Sequence, residues 1–569
     1  YKADIDGDLG LDIKGNTGDV VGVNGTAEVT GDVNAILSGG GNVTGINGAA
    51  AVDGNVNMKL DGKNNTYGIL AGSGAVTIGG DVNMDITTAN GSVGGISTTG
   101  AIKVDGNLNV NIHDTYAPIR MAAVLGNVTV ATHIDIGGLN NNINVDGRSQ
   151  FMEGLYSGVK LADNSVTNIS LKNSETAFYQ TQGIYDRDDK GFNLGANAVL
   201  NVAVETSGQQ SLGAGNSDGT FGLLLTNVRA TESVSQAGSQ INVNVKGSAV
   251  NASGIAGTVG ISGSIKAAGD VNVVVQSEDG IGLRARAVDE IAEYTGDVIV
   301  TTNKGTAVGT VGNGNANWNA SITIDPATGK KVQLTGDVKH FRDISGSSDL
   351  TKGSSIDISF KNAASFLTGA SLGANNTDRT TSLSFDNGSL WNMTGDSVAT
   401  KLVNNNDATI DMTQGADTLA VAEYQGDDGN FIMDTDLGSE TDGDKITIGT
   451  KTTAGVTYIQ VKDASLTNGL GEVTGVKNLL LVTDNSAEQA AQFVGKELNA
   501  GGLWDVTPTI ENGLAALDAN GNPVGTVNEW YLTKIAKKIN NDTSVLLDAG
   551  DNSYALWRNS NDTLRKRLG

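Results

Sequence analysis

The chain is predicted to be all-β and wound as a parallel β-helix, with three-strand rungs of about 20–27 residues each. Three observations predict it. A short phrase recurs: Gly31-Asp32-Val33-Asn34, Gly54-Asn55-Val56-Asn57, Gly80-Asp81-Val82-Asn83, Gly106-Asn107-Leu108-Asn109 and Gly126-Asn127-Val128-Thr129, at steps of 23, 26, 26 and 20 residues. It returns at Gly269-Asp270-Val271-Asn272, Gly296-Asp297-Val298-Ile299 and Gly336-Asp337-Val338-Lys339. Between copies, apolar and polar residues alternate in short runs bounded by Gly, Asn and Asp, the pattern of half-buried strands. Composition agrees: 78 of 569 residues are glycine, which corners use, and only 4 are proline, which a stacked strand excludes. Aromatics are 5%, too few for a globular core of this length but enough for a narrow interior of Val, Ile, Leu and Ala.

The rungs read in order. In Gly54–Gly79, Val56, Met58 and Leu60 make one strand, Gly68-Ile69-Leu70 a second, and Ala75-Val76-Thr77-Ile78 a third. In Gly80–Asp105, Val82, Met84 and Ile86 alternate with Asn83, Asp85 and Thr87, followed by Val93–Ile96 and Ala101–Asp105. Each rung should pair in register with its neighbours, so that inward residues stack into apolar columns and the polar alternates face water. Residues 1–139 carry the most regular rungs. Over 140–195 the rhythm loosens around Phe151, Met152, Tyr156, Phe178, Tyr179, Tyr185 and the run Asp186-Arg187-Asp188-Asp189-Lys190, suggesting rungs with longer loop excursions. Rungs resume over 196–413. The chain opens at Tyr1 in strand-like text, as a fragment or mature segment would.

Charge and cysteine narrow the function. A net charge of -26 opposes nucleic acid, which requires clustered Lys and Arg. There is no cysteine, which suits a chain that crosses an oxidising compartment unfolded. The longest apolar runs, such as Leu479-Leu480-Leu481-Val482, are far below the roughly 20 residues of a membrane-spanning helix.

Between Ser382 and Met412 a different phrase appears, with Leu390-Trp391-Asn392-Met393-Thr394-Gly395-Asp396-Ser397 and Lys401-Leu402-Val403-Asn404-Asn405-Asn406-Asp407. This phrase resembles the C-terminal rungs of passengers of monomeric, type V bacterial autotransporters. Phe431-Ile432-Met433-Asp434-Thr435-Asp436-Leu437, Gly443-Asp444-Lys445-Ile446-Thr447-Ile448, Leu479–Asp484 and Trp530-Tyr531-Leu532-Thr533 are similar to a pertactin-like autochaperone region. Ala555–Gly569 resembles the linker helix that leads into the outer-membrane barrel: Trp557, Leu564 and Leu568 fall on one helical face, beside the basic Arg558, Arg565, Lys566 and Arg567. The resemblance implies a right-handed coil, an autochaperone cap over 414–545 and a linker helix over 546–569, ahead of a barrel outside this chain. It implies folding from the C-terminal end, for which Trp504, Trp530 and Trp557 offer a nucleus. It also implies a place on the bacterial surface, anchored through that barrel or released from it.

Candidate chemistry is sparse. Gly395-Asp396-Ser397 echoes a serine-protease nucleophile, but Val398 stands where a glycine belongs, and His113, His133 and His340 lack a catalytic context. The acids Asp434, Asp436, Glu440, Asp442 and Asp444 do not match a calcium loop. No catalytic, metal or cofactor site is therefore assigned. The candidate ligand-binding residues are Trp318 in an Asn-rich loop, Arg284 and Arg286 for an anionic glycan, and Tyr156, Tyr179 and Tyr185 in the excursion; solvated charge and corner packing are the competing roles. Two function classes follow. One is an adhesin that binds host glycans, surface proteins or another copy of itself through the faces and loops of a stalk, roughly 80 Å long at about 4.8 Å per rung. The other is a polysaccharide-acting enzyme on the same scaffold.

Overall fold

The computed structural model describes the backbone of the chain except residues 127–133, 187–190, 211–218, 226–232, 248–256, 287–289, 312–319, 342–352, 374–378, 416–417, 439–442, 465–471, 500–503, 519 and 569. The chain divides into two compact units, Tyr1–Leu383 and Ser384–Gly569.

The N-terminal unit is a parallel β-helix. Each rung passes through a short face, a long face and a third face. One rung runs Ala50–Val52, Val56–Gly62 and Thr66–Gly72; the next runs Val76–Ile78, Val82–Thr88 and Val93–Thr98. Every face pairs in parallel with its counterpart: Val76 opposite Ala50, Val82 opposite Val56, Val93 opposite Thr66. From Leu108 the long and third faces merge into continuous strands, Leu108–Leu125 and Asn140–Tyr156. Parallel pairing continues to Ser321 opposite Ser355.

The recurring phrase has a structural reason at each position. The Asp or Asn caps the next rung: Asp8 Oδ1 accepts from the Asp32 N–H at 2.8 Å, Asp32 from Asn55 at 2.7 Å, Asn55 from Asp81 at 2.7 Å and Asp81 from Asn107 at 2.7 Å. The Gly before it allows that approach, since a Cβ on Gly80 or Gly106 would lie 2.5 Å from the Oδ1 of Asn55 or Asp81. The Val or Leu points inward, and Val33, Val56, Val82 and Leu108 are fully buried. The last Asn points outward. Two copies lie elsewhere. Gly126 follows a third-face strand and donates its N–H to the Tyr156 carbonyl, while the partner of Asn109 is Asn142, 33 residues on. Val338 pairs with Val308 on the third face, and Val298 pairs with Val332. Corners recur around each rung, so a Gly-Asn-Val text marks a corner and not a particular face; Gly41-Asn42-Val43-Thr44 opens a third-face strand in the same way.

A column of glycines runs inside the third face: Gly22, Gly45, Gly68 and Gly95, then Gly154, Gly183, Gly222, Gly260 and Gly282. A Cβ on Gly45 would sit 2.7 Å from Met58 Sδ and 2.5 Å from the Gly68 carbonyl; one on Gly68 would sit 2.6 Å from Met84 Sδ and from the Gly95 carbonyl. The column makes room for the long face's inward side chains, giving a narrow core of close packing.

The C-terminal unit begins with parallel strands. Ser397–Asn405 pairs with Thr418–Asp427, and that with Lys445–Thr452; Thr409–Asp411 pairs with Gly429–Thr435, and that with Gly455–Asp463. It then turns antiparallel, with Glu529–Ile539 between Glu472–Asp484 and Trp504–Asn512. An aromatic core runs through it. Trp391 is fully buried and stacks on Phe385 at 5.5 Å, Tyr424 stacks on Phe493 at 5.9 Å, and Phe493 meets Trp530 edge-on at 5.1 Å. The expected three-tryptophan nucleus is thus revised: Trp530 is buried, but Trp557 is 61% exposed on the terminal helix Asn541–Leu568, and the Trp504 side chain lies outside the described residues. Among the described residues no helix is long and apolar enough to cross a membrane.

Candidate functional site: an asparagine ladder on the long face

The outward position of the long face carries asparagine on nine successive rungs: Asn34, Asn57, Asn83, Asn109, Asn142, Asn168, Asn201, Asn242 and Asn272. The in-register parallel pairing sets these side chains one strand spacing apart, about 4.8 Å. At that spacing the primary amides from Asn34 to Asn242 are hydrogen-bonded in series. Asn57 Nδ2 donates to Asn34 Oδ1 at 2.9 Å, Asn83 to Asn57 at 2.9 Å, Asn109 to Asn83 at 2.9 Å, Asn142 to Asn109 at 3.1 Å, Asn168 to Asn142 at 3.0 Å, Asn201 to Asn168 at 2.9 Å and Asn242 to Asn201 at 2.9 Å. A second column two residues on continues the pattern, where Asn111 donates to Asp85 at 3.0 Å and Asn144 to Asn111 at 2.8 Å. Between the columns lies a shallow trough of about 800 Å³ over Gly10–Asn144, followed by one of about 600 Å³ over Asn142–Val274.

The chemistry follows from the amide. Each interior ladder asparagine, from Asn57 to Asn201, uses one N–H and one lone pair along the column and keeps a second donor and acceptor for the solvent side. The face therefore offers neutral donors and acceptors at a fixed repeat, on a chain whose net charge is -26. Charges lie beside the ladder and are partly paired, as in Lys246–Glu205 at 2.7 Å, and Asp85 Oδ1 lies 2.7 Å from His113 Nε2.

The third face is different: its strands are buried on both sides, from Gln180–Asp186 through Gly219–Leu225 to Thr258–Gly263. This corrects several candidate residues. Tyr156 and Tyr185 are 2% and 5% exposed, meet edge-on at 5.1 Å and cluster with Phe221, Leu224, Val259 and Ile281. Arg284 is 4% exposed, lies over the Phe221 ring at 5.0 Å and donates its Nε–H to Ser262 Oγ at 3.0 Å. Burial, and next the Arg286 charge, pull Arg284 down to about 9. These three side chains are packing groups, closed to a ligand. Tyr179 is half-buried and stacks on Phe151 at 5.0 Å; Arg286 is half-buried, its backbone N–H bonded to the Glu290 carboxylate. Trp318 lies outside the described residues.

The same face holds Glu153, fully buried, with neither carboxylate oxygen hydrogen-bonded and Arg120 at 3.4 Å. Burial pushes its carboxyl up to about 7 against the pull of Arg120, whose guanidinium lies over Phe151 and Tyr156. His340 is buried against Thr310, Ser354 and Thr381, and burial, then the Arg379 charge, hold it down at about 4. Ser397 is buried, its hydroxyl donating to the Gly395 carbonyl at 2.9 Å. Of the acid cluster, Asp444 accepts the Asp434 N–H at 2.6 Å, while Glu440 and Asp442 lie outside the described residues.

The phrase itself pointed to Asn34, Asn57, Asn83 and Asn109. Sequence reasoning did not place Asn142, Asn168, Asn201 and Asn242 in the same column, because the steps lengthen to 33, 26, 33 and 41 residues. A weaker signal survives in Asn-Ile-Asn-Val, Asn-Ile-Ser-Leu, Asn-Val-Ala-Val and Asn-Val-Asn-Val, a polar–apolar strand that opens on Asn each time. No protein-family model matches the chain, and no curated protein matches it.

Proposed function

We propose that the chain is an autotransporter passenger that works as a non-enzymatic surface adhesin, held at the bacterial surface through a barrel outside this sequence. The observation that carries the reading is the asparagine ladder. A neutral strip of asparagines repeats at constant spacing over nine rungs, eight of them hydrogen-bonded in series. Each rung makes one weak contact, and the contacts add along the rod. Host glycans, host surface proteins and a second copy on a neighbouring cell are the partners this chemistry suits. The stacked rungs support folding by propagation, since each touches only its neighbours, and the antiparallel segment through Glu529–Ile539 supports a capping role.

The test is display of the full-length protein on a non-adherent bacterium, with clumping and surface binding scored. Replacing Asn57, Asn83 and Asn109 together by Lys should abolish adhesion while export, checked by surface labelling, is retained. Unchanged adhesion in the exported triple variant would overturn the reading. Release of reducing sugar from a glycan panel would replace it with the enzymatic one.

A further inference from the structure

In the C-terminal unit, three side chains meet in an arrangement the adhesin reading does not use. Lys496 follows the strand Ala491–Gly495, Asn430 lies in Gly429–Thr435, and Asp407 sits in the turn after Ser397–Asn405. The Lys496 ammonium donates to Asn430 Oδ1 at 2.8 Å. Asp407 Oδ1 accepts from Asn430 Nδ2 at 3.0 Å and lies 3.4 Å from Lys496 Nζ. One carboxylate thus touches both the amine and the amide nitrogen, while the amine touches the amide carbonyl. Asn430 is 3% exposed, and its amide also donates to the Ala408 carbonyl at 3.3 Å. The Lys496 ammonium lies over the Tyr458 ring, 4.8 Å from its centroid. The backbone fixes the approach, because the Lys496 N–H is bonded to the Ile459 carbonyl at 2.9 Å and the Asn430 N–H to that of Ala408 at 2.8 Å.

We propose that Lys496 and Asn430 form an intramolecular isopeptide bond, with Asp407 as the catalytic residue. Lys496 Nζ gives a proton to the Asp407 carboxylate, and its lone pair forms a bond to Asn430 Cγ. Asp407 returns the proton to the amide nitrogen, the Cγ–Nδ2 bond breaks, and ammonia leaves and is protonated by the second proton of the former ammonium. The sum is ammonium plus carboxamide giving secondary amide plus ammonium ion; nothing is oxidised or reduced, and no co-reactant is needed. The fold supplies the rate: amine, amide and carboxylate are held in contact, which converts a sluggish bimolecular aminolysis into an intramolecular reaction with a proton shuttle in place. The bond closes a loop between positions 66 residues apart. It spans the intervening strand, since Asn430 pairs with Tyr458 and Tyr458 with Val494, and so clamps three layers covalently.

The test is the intact mass of the purified full chain. The expected result is a mass about 17 Da below that of the sequence, the ammonia lost, with a branched peptide after proteolysis that joins the Asn430 and Lys496 segments. Lys496→Arg, Asn430→Ala and Asp407→Ala should each restore the full mass, and circular dichroism should show Lys496→Arg folded. A wild-type chain at its full sequence mass overturns the proposal, as does a mass loss that persists in Lys496→Arg. Both readouts are independent of adhesion.

Discussion

The long face and the third face of the N-terminal unit come from the same rungs and differ in what lies outside them. Both send alternate residues into one core. Outward, the long face shows Asn83 and Asn142 to solvent, whereas the third face buries Glu153, Tyr156 and Tyr185. A face wet on one side needs side chains that bond one another; a face covered on both sides needs side chains that fill space. The difference leaves solvent-facing hydrogen-bonding groups on the long face, where the proposed adhesion would act, and most of the unit's sensitivity to substitution on the third.

The largest effect should come from Gly68→Leu on the inner side of the third face. Its Cβ would collide with Met84 and with the Gly95 carbonyl, so a loss of about 3 kcal/mol or more is expected. Gly10→Ala on the long face, with nothing within 4 Å of the new Cβ, should leave thermal unfolding unchanged. A well-folded Gly68→Leu protein would show the column to be incidental. Next comes Tyr185→Ala, expected to destabilise by ~3 kcal/mol through the cavity left beside Tyr156 and Phe221. If denaturant unfolding of this variant matched that of the parent, the third face could not be closed as described.

Glu153 gives a smaller effect that depends on pH. Its folded-state value near 7 lies above the ordinary 4.5, so between those values the folded chain holds a proton that the unfolded chain has lost. Its contribution is fully present below about 4.5 and is lost as pH rises through 7. Glu153→Gln should raise the melting temperature at pH 8 by roughly 2 °C and change it little at pH 4.5. An equal shift at both pH values would rule out the ionisation as its cause. The smallest stability effect belongs to Asn83→Ala, below about 1 kcal/mol, because water replaces the ladder bonds it loses. A drop as large as that of Tyr185→Ala would erase the contrast between the faces.

What could be read in the sequence follows the same division. Asn83-Met84-Asp85-Ile86 alternates because one side is wet, and its strand, phase and outward residues were all legible. Phe221-Gly222-Leu223-Leu224-Leu225 shows no alternation because both sides are buried, so nothing local assigns its outward residues. Tyr156 and Tyr185 looked ligand-facing for the same reason: an aromatic beside a charged run reads as exposed unless the covering of its face is known. The glycine column was hidden among 78 glycines, most of which corners explain. The triad of Asp407, Asn430 and Lys496 spans 89 residues, and only the three-dimensional stacking brings it together.

The ladder has a direction. Each observed bond runs from the Nδ2 of a later rung to the Oδ1 of an earlier one, from Asn242 back to Asn34. The amide dipoles therefore line up head to tail, and each polarises the next. Seen from outside, the column resembles a bar magnet laid along the face, with a donor pole near Asn34 and an acceptor pole near Asn242. Two such bars side by side attract when reversed and repel when aligned. If the proposed self-association runs through this face, two copies would dock head to foot.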